Sequence, residues 1–288
     1  MKHRISLTVG PVTFRVGSAW AEPVEQLRAL YAAYPSADGE IADFTVRLDP
    51  AGPLRRWWRP SIIIAGDHML AGAAPLALRH GLLAAEMGMN MQMALGWRRH
   101  VLVHASAVER GGRAMIMCGD SGSGKSTLAA MLGERGWRFM GDEFVLLEPE
   151  SGLAFPFPRL VSLKNEAIDV MHDWVGDERR FGPLIAATPK GDIRHMVPPV
   201  DAIARMQDGA RPAMLLFPHF GEELGLRGLG QGEAFMRLTQ ASTNYVACGE
   251  RGFAAFTALV RAVPAVALDY GSGEEALAAL DQLWSELP

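Results

Sequence analysis

One short segment of the sequence combines glycines, a lysine and a serine in a pattern suited to holding phosphate groups. Residues 119–126 read Gly-Asp-Ser-Gly-Ser-Gly-Lys-Ser, with an apolar run before them and helix-forming residues after them. The pattern G-x-x-x-x-G-K-S between a buried strand and a helix is the context in which this loop cradles nucleotide phosphates. Its glycines let successive N–H groups face phosphate oxygens, and the helix N-terminus adds a positive dipole end. We therefore predict nucleotide binding by Gly119, Asp120, Ser121, Gly122, Ser123, Gly124, Lys125, Ser126 and Thr127.

Two carboxylates follow the loop after a single predicted helix. In such sites the lysine, here Lys125, neutralises the β- and γ-phosphates, and the serine hydroxyl, here Ser126, ligates Mg²⁺ together with a carboxylate. Asp142 and Glu143 stand between apolar strand-like residues on both sides. Charged residues are rarely buried without a partner, which favours a functional pair over an idle acidic patch on the surface. The sequence thus predicts a magnesium-dependent phosphate site.

The elements that must position these residues can be predicted from hydrophobic periodicity. The sequence favours an α/β protein with a small α+β region at 1–95 and a P-loop catalytic domain at 96–288. The predicted strands and turns of both regions are 5–9, a turn at 10–11, 12–16, 44–48, 61–65, 100–107, a turn at 110–112, 114–118 and 213–217. The predicted helices are 24–34, 74–99, the one after the P-loop, 253–263 and 273–284.

Composition excludes several classes of function. The formal net charge of −4 provides no basic field for binding nucleic acid. The two cysteines, Cys118 and Cys248, are too few for a disulfide framework or a metal site, which fits a reducing compartment. The alternating N-terminal residues favour a β-hairpin over a signal peptide, and apolar runs are too short to span a bilayer. We therefore expect a cytoplasmic location, without nucleic acid or membrane as partner.

A basic and aromatic segment, Arg-Arg-Trp-Trp-Arg at 55–59, lies between two predicted strands. It is either a docking patch or a pair of anchoring tryptophans flanked by solvated arginines. We favour the second interpretation, because large aromatic side chains usually bury much of their surface.

The site residues resemble those of the bacterial HPr kinase/phosphorylase catalytic domain, whose pattern is a histidine, a G-[DE]-S-G-x-G-K-S loop and an acidic pair. His104 takes the place of that histidine in this sequence. The HprK-related kinase A family is more similar still, and this resemblance covers nearly the whole chain and is specific from about residue 80 onward. The similar stretches are 103–107, 136–138, 142–144, 158–159, 162–166, 188–191, 217–218 and 244–245.

The resemblance implies a fold and a set of roles. The fold would be a P-loop HPr kinase-like core, similar to the C-terminal part of PEP carboxykinase. Asp142 matches the carboxylate that receives the substrate serine's proton, and Glu143 and Glu166 match metal ligands. His104 matches the histidine beside the transferred phosphate, although a buried structural histidine is as common an interpretation. The acid pair is Asp-Glu where HPr kinases have Asp-Asp, and the later signature of phosphorolysis is not seen, which leaves HPr as substrate and the reverse reaction open.

Three basic residues in Pro- and Gly-punctuated segments, Arg159, Lys164 and Lys190, are suited to holding phosphate or an acidic partner. The expected function is ATP- and Mg²⁺-dependent phosphorylation of a serine in a small protein or peptide. A kinase for a free small-molecule hydroxyl and a nucleotide-sensing regulatory module are the alternatives, and the donor could be another nucleoside triphosphate or pyrophosphate. By resemblance alone, a homo-oligomer and a PqqD-like peptide-binding chaperone are the expected partners.

Overall fold

The computed structural model describes residues 2–37 and 39–287. Its strands are β1 (His3–Val9), β2 (Val12–Ser18), β3 (Phe44–Pro50), β4 (Ser61–Gly66), β5 (Leu76–Ala77), β6 (Val101–Val103), β7 (Ala105–Arg110), β8 (Arg113–Cys118), β9 (Arg138–Gly141), β10 (Val145–Leu147), β11 (Ala154–Phe155), β12 (Val161–Lys164), β13 (Ile185–Thr188), β14 (Gly191–Met196), β15 (Arg211–Phe220), β16 (Gly225–Gly228) and β17 (Ala265–Tyr270). Its α-helices are α1 (Ala21–Leu30), α2 (Gly81–Gly96), α3 (Lys125–Glu134), α4 (Glu166–Val175), α5 (Val200–Ala204), α6 (Gln231–Ala241), α7 (Tyr245–Ala262) and α8 (Gly273–Ser285). Short 3₁₀ turns cover Pro53–Arg56, Leu78–His80 and Glu178–Arg180.

The N-terminal elements form a five-stranded sheet in the order β1-β2-β3-β4-β5, with α1 and α2 packed against it. The predicted hairpin is confirmed, since β1 and β2 pair antiparallel and Val9 lies opposite Val12 across the turn. Alternate strand residues such as Leu7, Val12 and Phe14 are buried, which gives the sheet the apolar face that the helices cover.

The predicted helix at 74–99 is wrong at its beginning. Helix α2 starts only at Gly81, because the residues after Pro75 form strand β5 and pair with β4, where Ala77 lies opposite Ser61. Tertiary strand pairing here outweighs the helix-forming tendency of the leucines and alanines. Within α2, Met89 and Met93 are fully buried and belong to the core cluster of the N-terminal sheet.

The basic and aromatic segment also differs from expectation. Trp57 and Trp58 are not anchors, since 74% and 65% of their surfaces are exposed. The guanidinium groups of Arg56 and Arg59 lie over the two indole rings at 5.6 and 5.2 Å from the ring centroids. Each ring thus has an arginine over it and is largely exposed to solvent.

The largest sheet has the order β16-β17-β15-β8-β7-β9 and lies between two layers of helices. Strands β8, β15 and β17 are parallel, whereas β7, β9 and β16 are antiparallel to their neighbours. Successive residues of β8 point to opposite faces: Met115 and Met117 pack toward α3 and α8, and Ile116 packs toward α6 and α7. Burial on both faces explains the continuous apolar sequence of this strand. The chain is thus a mixed α/β protein with several sheets, which also include β11-β10-β6 and β12-β14-β13.

The strand predicted at 100–107 is two strands. It breaks at His104, because β6 pairs with β10 whereas β7 pairs with β8 and β9. At the break the His104 backbone N–H donates to the carbonyl of Ala241 at 2.7 Å. The candidate catalytic residue His104 thus lies between the two strands, just before the start of β7.

The apolar core of the N-terminal sheet continues past residue 96. Phe14 and Met89 belong to the same buried cluster as Phe144, Phe157 and Ile193, so the two predicted regions pack directly on each other. Within residues 2–37 and 39–287, no helix has the length and apolar character that crossing a membrane requires.

Candidate active site

The predicted phosphate-binding loop joins the end of β8 to the beginning of α3. Gly122 and Gly124 have φ angles of +92° and +86°, in the region that only glycine adopts without strain. Gly124 has a second constraint, because a Cβ atom there would lie 1.9 Å from the hydroxyl oxygen of Tyr270. The loop conformation therefore depends on these glycines at two of its turns.

Two polar side chains of the loop are buried and have few hydrogen-bond partners. The Lys125 ammonium is buried and donates to the carbonyl of Asp120 at 3.2 Å. Burial lowers the pKa of Lys125, and the nearby carboxylates of Glu143 and Asp142 act in the opposite direction. Among the described residues, the buried Ser123 hydroxyl has no hydrogen-bond partner. A loop with a buried cation and a free hydroxyl is suited to an anion with several oxygens.

The carboxylate of Asp142 lies just beyond the end of β9 and is only 4% exposed. Its Oδ2 accepts a hydrogen bond from the Ser162 N–H at 2.9 Å, which fixes the orientation of the group. Burial, reinforced by the charge of Glu143, raises the pKa of Asp142 to about 6, while the hydrogen bond from Ser162 and the charges of Arg159 and Lys164 act in the opposite direction. A carboxyl group with a pKa near 6 is mostly ionised at neutral pH, yet it binds a proton more readily than an ordinary aspartate.

The neighbouring Glu143 faces the more open side of the site. Its Oε1 lies 3.7 Å from His104 Nε2, and the two side chains are 32% and 43% exposed. Burial lowers the pKa of His104, Glu143 raises it, and the charges of Lys125, Lys164 and Lys190 lower it further. Histidine, acid pair and three lysines therefore converge in space, although they come from five separate parts of the chain.

The convergence of the lysines is informative because the sequence has only four of them, Lys2 included, against a large number of arginines. Three of the four surround His104. Arginine supplies most of the positive charge elsewhere, whereas this site uses compact ammonium groups, which bind phosphate as point charges. This bias was readable from the sequence and would have supported Lys164 and Lys190 as site residues.

Comparison with known proteins adds little to this geometry. No family model matches the chain, and no curated protein matches it. Solved structures that match include the Hpr(Ser) kinase/phosphatase from Coxiella burnetii, with 12% sequence identity over 64% of this chain and 98% of that chain, and a TM-score of 0.30. A likeness this distant does not by itself assign an activity to the residues described above.

Arg159 is placed differently from the other basic candidates. Its guanidinium is buried and donates to Glu86 Oε2 at 2.7 Å and to the Glu86 carbonyl at 3.0 Å. The same carboxylate accepts a hydrogen bond from Tyr31 at 2.9 Å. A side chain that grips a substrate must be accessible, so this position favours a supporting role behind Asp142. The sequence signal for its partner was a single acid, Glu86, inside an apolar helix.

Glu166 lies apart from the acid pair. It is exposed at the beginning of α4, after Asn165, whose φ angle is +50°. None of the hydrogen bonds and ion pairs found between described residues joins Glu166 to Asp142 or Glu143. No contact of Glu166 between described residues therefore supports its predicted role as a metal ligand. Glu143, by contrast, lies close to Lys125 and His104.

A buried histidine beside this network predicts a pH-dependent stability. His195 is buried on β14, and burial, followed by the charge of Arg159, lowers its pKa to about 3 from an ordinary value of 6.5. Below about pH 6.5 the unfolded chain takes up a proton that the folded chain refuses, so stability present at neutral pH is lost as the pH falls. We expect His195 to lower the free energy of unfolding at pH 5 by about 2 kcal/mol relative to neutral pH, because each pH unit below the unfolded pKa contributes roughly 1.4 kcal/mol.

The free energy of unfolding of wild type and His195→Gln, measured by urea titration at pH 7.5 and pH 5, checks this expectation. The difference between the two proteins isolates His195 from Asp142, whose raised pKa has the opposite effect on stability. Parallel pH dependences in the two proteins would show that His195 is protonated or uncovered in the folded state.

Proposed function

We propose that this chain is a kinase that transfers the γ-phosphoryl group of ATP to a serine hydroxyl of a small protein or peptide. The observation that carries the proposal is a buried, oriented carboxylate, Asp142, close to the buried lysine of a phosphate-binding loop. A nucleotide switch needs a metal ligand but no proton acceptor at this position. A kinase needs both, because the attacking hydroxyl must lose its proton.

ATP is the proposed donor because the loop presents the groups that a triphosphate requires. The N–H groups around Gly122 and Gly124, the beginning of α3 and the Lys125 ammonium offer several donors within one short segment. The Ser123 hydroxyl, which has no hydrogen-bond partner in the part of the chain that the structure describes, is another donor available to a phosphate oxygen. Such a cluster is costly to bury without an anion, which supports a phosphate ligand over a structural loop.

The residues also fit a magnesium ion, with Ser126 and Glu143 as its protein ligands. Glu166, which lies apart from the acid pair, is a further ligand by the family resemblance alone. No three His, Cys, Asp or Glu side chains of residues 2–37 and 39–287 form a metal cage by themselves. Magnesium in nucleotide sites usually has only one or two protein carboxylates and takes its other ligands from phosphates and water. When bound, the ion neutralises charge on the β- and γ-phosphate oxygens.

In the proposed reaction, the serine oxygen forms a bond to the γ-phosphorus and the bond from that phosphorus to the bridging oxygen of ADP breaks. The hydroxyl proton moves to the carboxylate of Asp142, which the Ser162 N–H holds in place. Lys125 holds the transferring group, and Lys164 and Lys190 add positive charge where the phosphoryl oxygens pass. His104, beside Glu143, contacts the same group.

The acceptor side of the site supports a protein or peptide over a free metabolite. His104 and Glu143 are partly exposed, and Lys190 lies on an exposed turn between β13 and β14. A small metabolite is normally enclosed by its site, whereas a serine on a protein loop needs an open approach. A PqqD-like peptide-binding chaperone and a homo-oligomer remain proposals that follow from the family resemblance, as does a cytoplasmic location.

Loss of the Lys125 ammonium tests nucleotide binding. We expect Lys125→Ala to weaken Mg-ATP binding roughly 10- to 100-fold, because a charge-assisted hydrogen bond to phosphate is worth about 1.5–3 kcal/mol. Isothermal titration calorimetry measures the change, with Lys2→Ala, which lies outside the site, as the matched lysine control. Equal ATP affinity in wild type and Lys125→Ala would show that the loop is not part of the nucleotide site.

A further inference from the structure

The large sheet divides the surroundings of the phosphate-binding loop into two sides. The loop leaves the carboxyl end of β8, which lies between β7 on one side and β15 on the other. The candidate catalytic groups all lie on the first side, with His104 just before β7 and Asp142 just after β9. In open α/β sheets, ligands bind beyond the carboxyl ends of parallel strands, which here also include β15 and β17.

The second side carries an aromatic pair. Phe220 ends β15 and Tyr270 ends β17, and the two residues lie directly opposite each other in the parallel register. Their ring centroids are 5.4 Å apart with the planes at 60°, an edge-to-face arrangement. Tyr270 is buried, whereas Phe220 is 48% exposed. One aromatic ring is thus held in place by another and offers its free surface to solvent.

This pair adjoins the phosphate-binding loop. The Tyr270 hydroxyl donates to the Ser123 carbonyl at 3.5 Å, and burial raises the pKa of Tyr270 to about 12, so the hydroxyl stays a donor. A Cβ atom on Gly124 would lie 3.3 Å from Phe220 Cβ. The segment after Phe220 is fixed as well, because the Gly221 N–H donates to the Tyr270 carbonyl at 3.0 Å. The exposed ring therefore has a fixed position beside the loop.

We propose that Phe220, supported by Tyr270, is the platform on which the base of the nucleotide stacks. This inference rests on the proposed function and adds the site for the nucleoside. The γ-phosphate must point toward Asp142 on the β7 and β9 side, so the base, at the other end of the triphosphate, lies on the β15 and β17 side. Every nucleobase has a π-face, so a single ring favours large bases without reading their hydrogen-bonding edges. The ligand class is a purine nucleoside triphosphate.

Magnesium tripolyphosphate has no base, so its affinity distinguishes binding at the loop from stacking on Phe220. We expect Phe220→Ala to weaken Mg-ATP binding about 10-fold, within the usual range for stacking of one base, and to leave the affinity for magnesium tripolyphosphate unchanged. Phe220→Trp should keep the wild-type affinity for ATP. Phe253→Ala is the matched control, because Phe253 is also exposed and also packs edge-to-face on another ring, that of Phe235 on α6.

Calorimetry on wild type and these three variants, each with both ligands, gives distinct outcomes. Selective loss of ATP binding in Phe220→Ala supports the platform. Equal weakening of ATP and tripolyphosphate in that variant, or no weakening of either, overturns the platform but leaves nucleotide binding by the loop intact. If wild type binds neither ligand, the proposed function and the platform both fail.

Discussion

Asp142→Asn is expected to slow phosphoryl transfer by about two to four orders of magnitude, the usual contribution of a positioned general base. The amide has nearly the same shape as the carboxylate and its oxygen can still accept the hydrogen bond from the Ser162 N–H. It cannot take a proton from the attacking hydroxyl. We therefore expect the affinity for Mg-ATP to change little while transfer is lost.

The rate of transfer from γ-labelled ATP under single-turnover conditions, together with calorimetric ATP affinity, measures both parts of this expectation. Asp281→Asn is a suitable control, because Asp281 is an exposed aspartate on α8 that pairs with Arg110. Transfer at the wild-type rate in Asp142→Asn would remove Asp142 as the base. Parallel loss of ATP binding would instead assign the residue to the metal or to the loop structure.

Arg159→Met is expected to lower the free energy of unfolding by about 3–5 kcal/mol, because removing one partner of a buried ion pair leaves the other charge uncompensated. The partner is Glu86, which is buried on α2, and burial raises the pKa of that carboxyl. The contact joins helix α2, in the N-terminal region, to the segment that contains Arg159 and lies next to Asp142. Breaking it is therefore expected to destabilise the packing between the two regions.

Denaturant titrations of Arg159→Met, of the double variant with Glu86→Met, and of Arg47→Ala test this account. Arg47 belongs to an exposed ion pair with Asp49, for which we expect a change below about 1 kcal/mol. The double variant should recover most of the lost stability, because apolar residues of similar size replace both charges. A loss in Arg159→Met no greater than in Arg47→Ala would mean that the pair contributes little.

The parts of the site that could be predicted from the sequence are those that depend on local pattern. The loop between β8 and α3, for which we propose phosphate binding, could be located because strand, glycines, lysine and helix follow one another without interruption. The acid pair at Asp142 and Glu143 was readable because charge stood between apolar residues. In both cases the information lies within one supersecondary unit, so no long-range contact had to be guessed.

The parts that could not be predicted depend on contacts between distant segments. Glu86 and Arg159 are 73 residues apart, and nothing in either neighbourhood specifies the other as its partner. The strand that replaces the start of the predicted helix exists because β4 offers it an edge. The exposure of Trp57 and Trp58 likewise depends on which surfaces the remaining chain leaves uncovered. Periodicity reports burial along one element, not which element covers it.

The central claim, transfer of phosphate to a serine of a protein or peptide, is tested most directly by identifying the labelled acceptor. Wild-type protein, Mg²⁺ and γ-labelled ATP would be incubated with small carrier proteins, with peptides encoded by neighbouring genes, and with free serine. The account predicts phosphoserine on a protein or peptide, located by mass spectrometry and absent with Asp142→Asn. Label on free serine alone would identify a metabolite kinase. ATP binding without any labelled acceptor, with hydrolysis unaffected by Asp142→Asn, would contradict the account and indicate a nucleotide-sensing module.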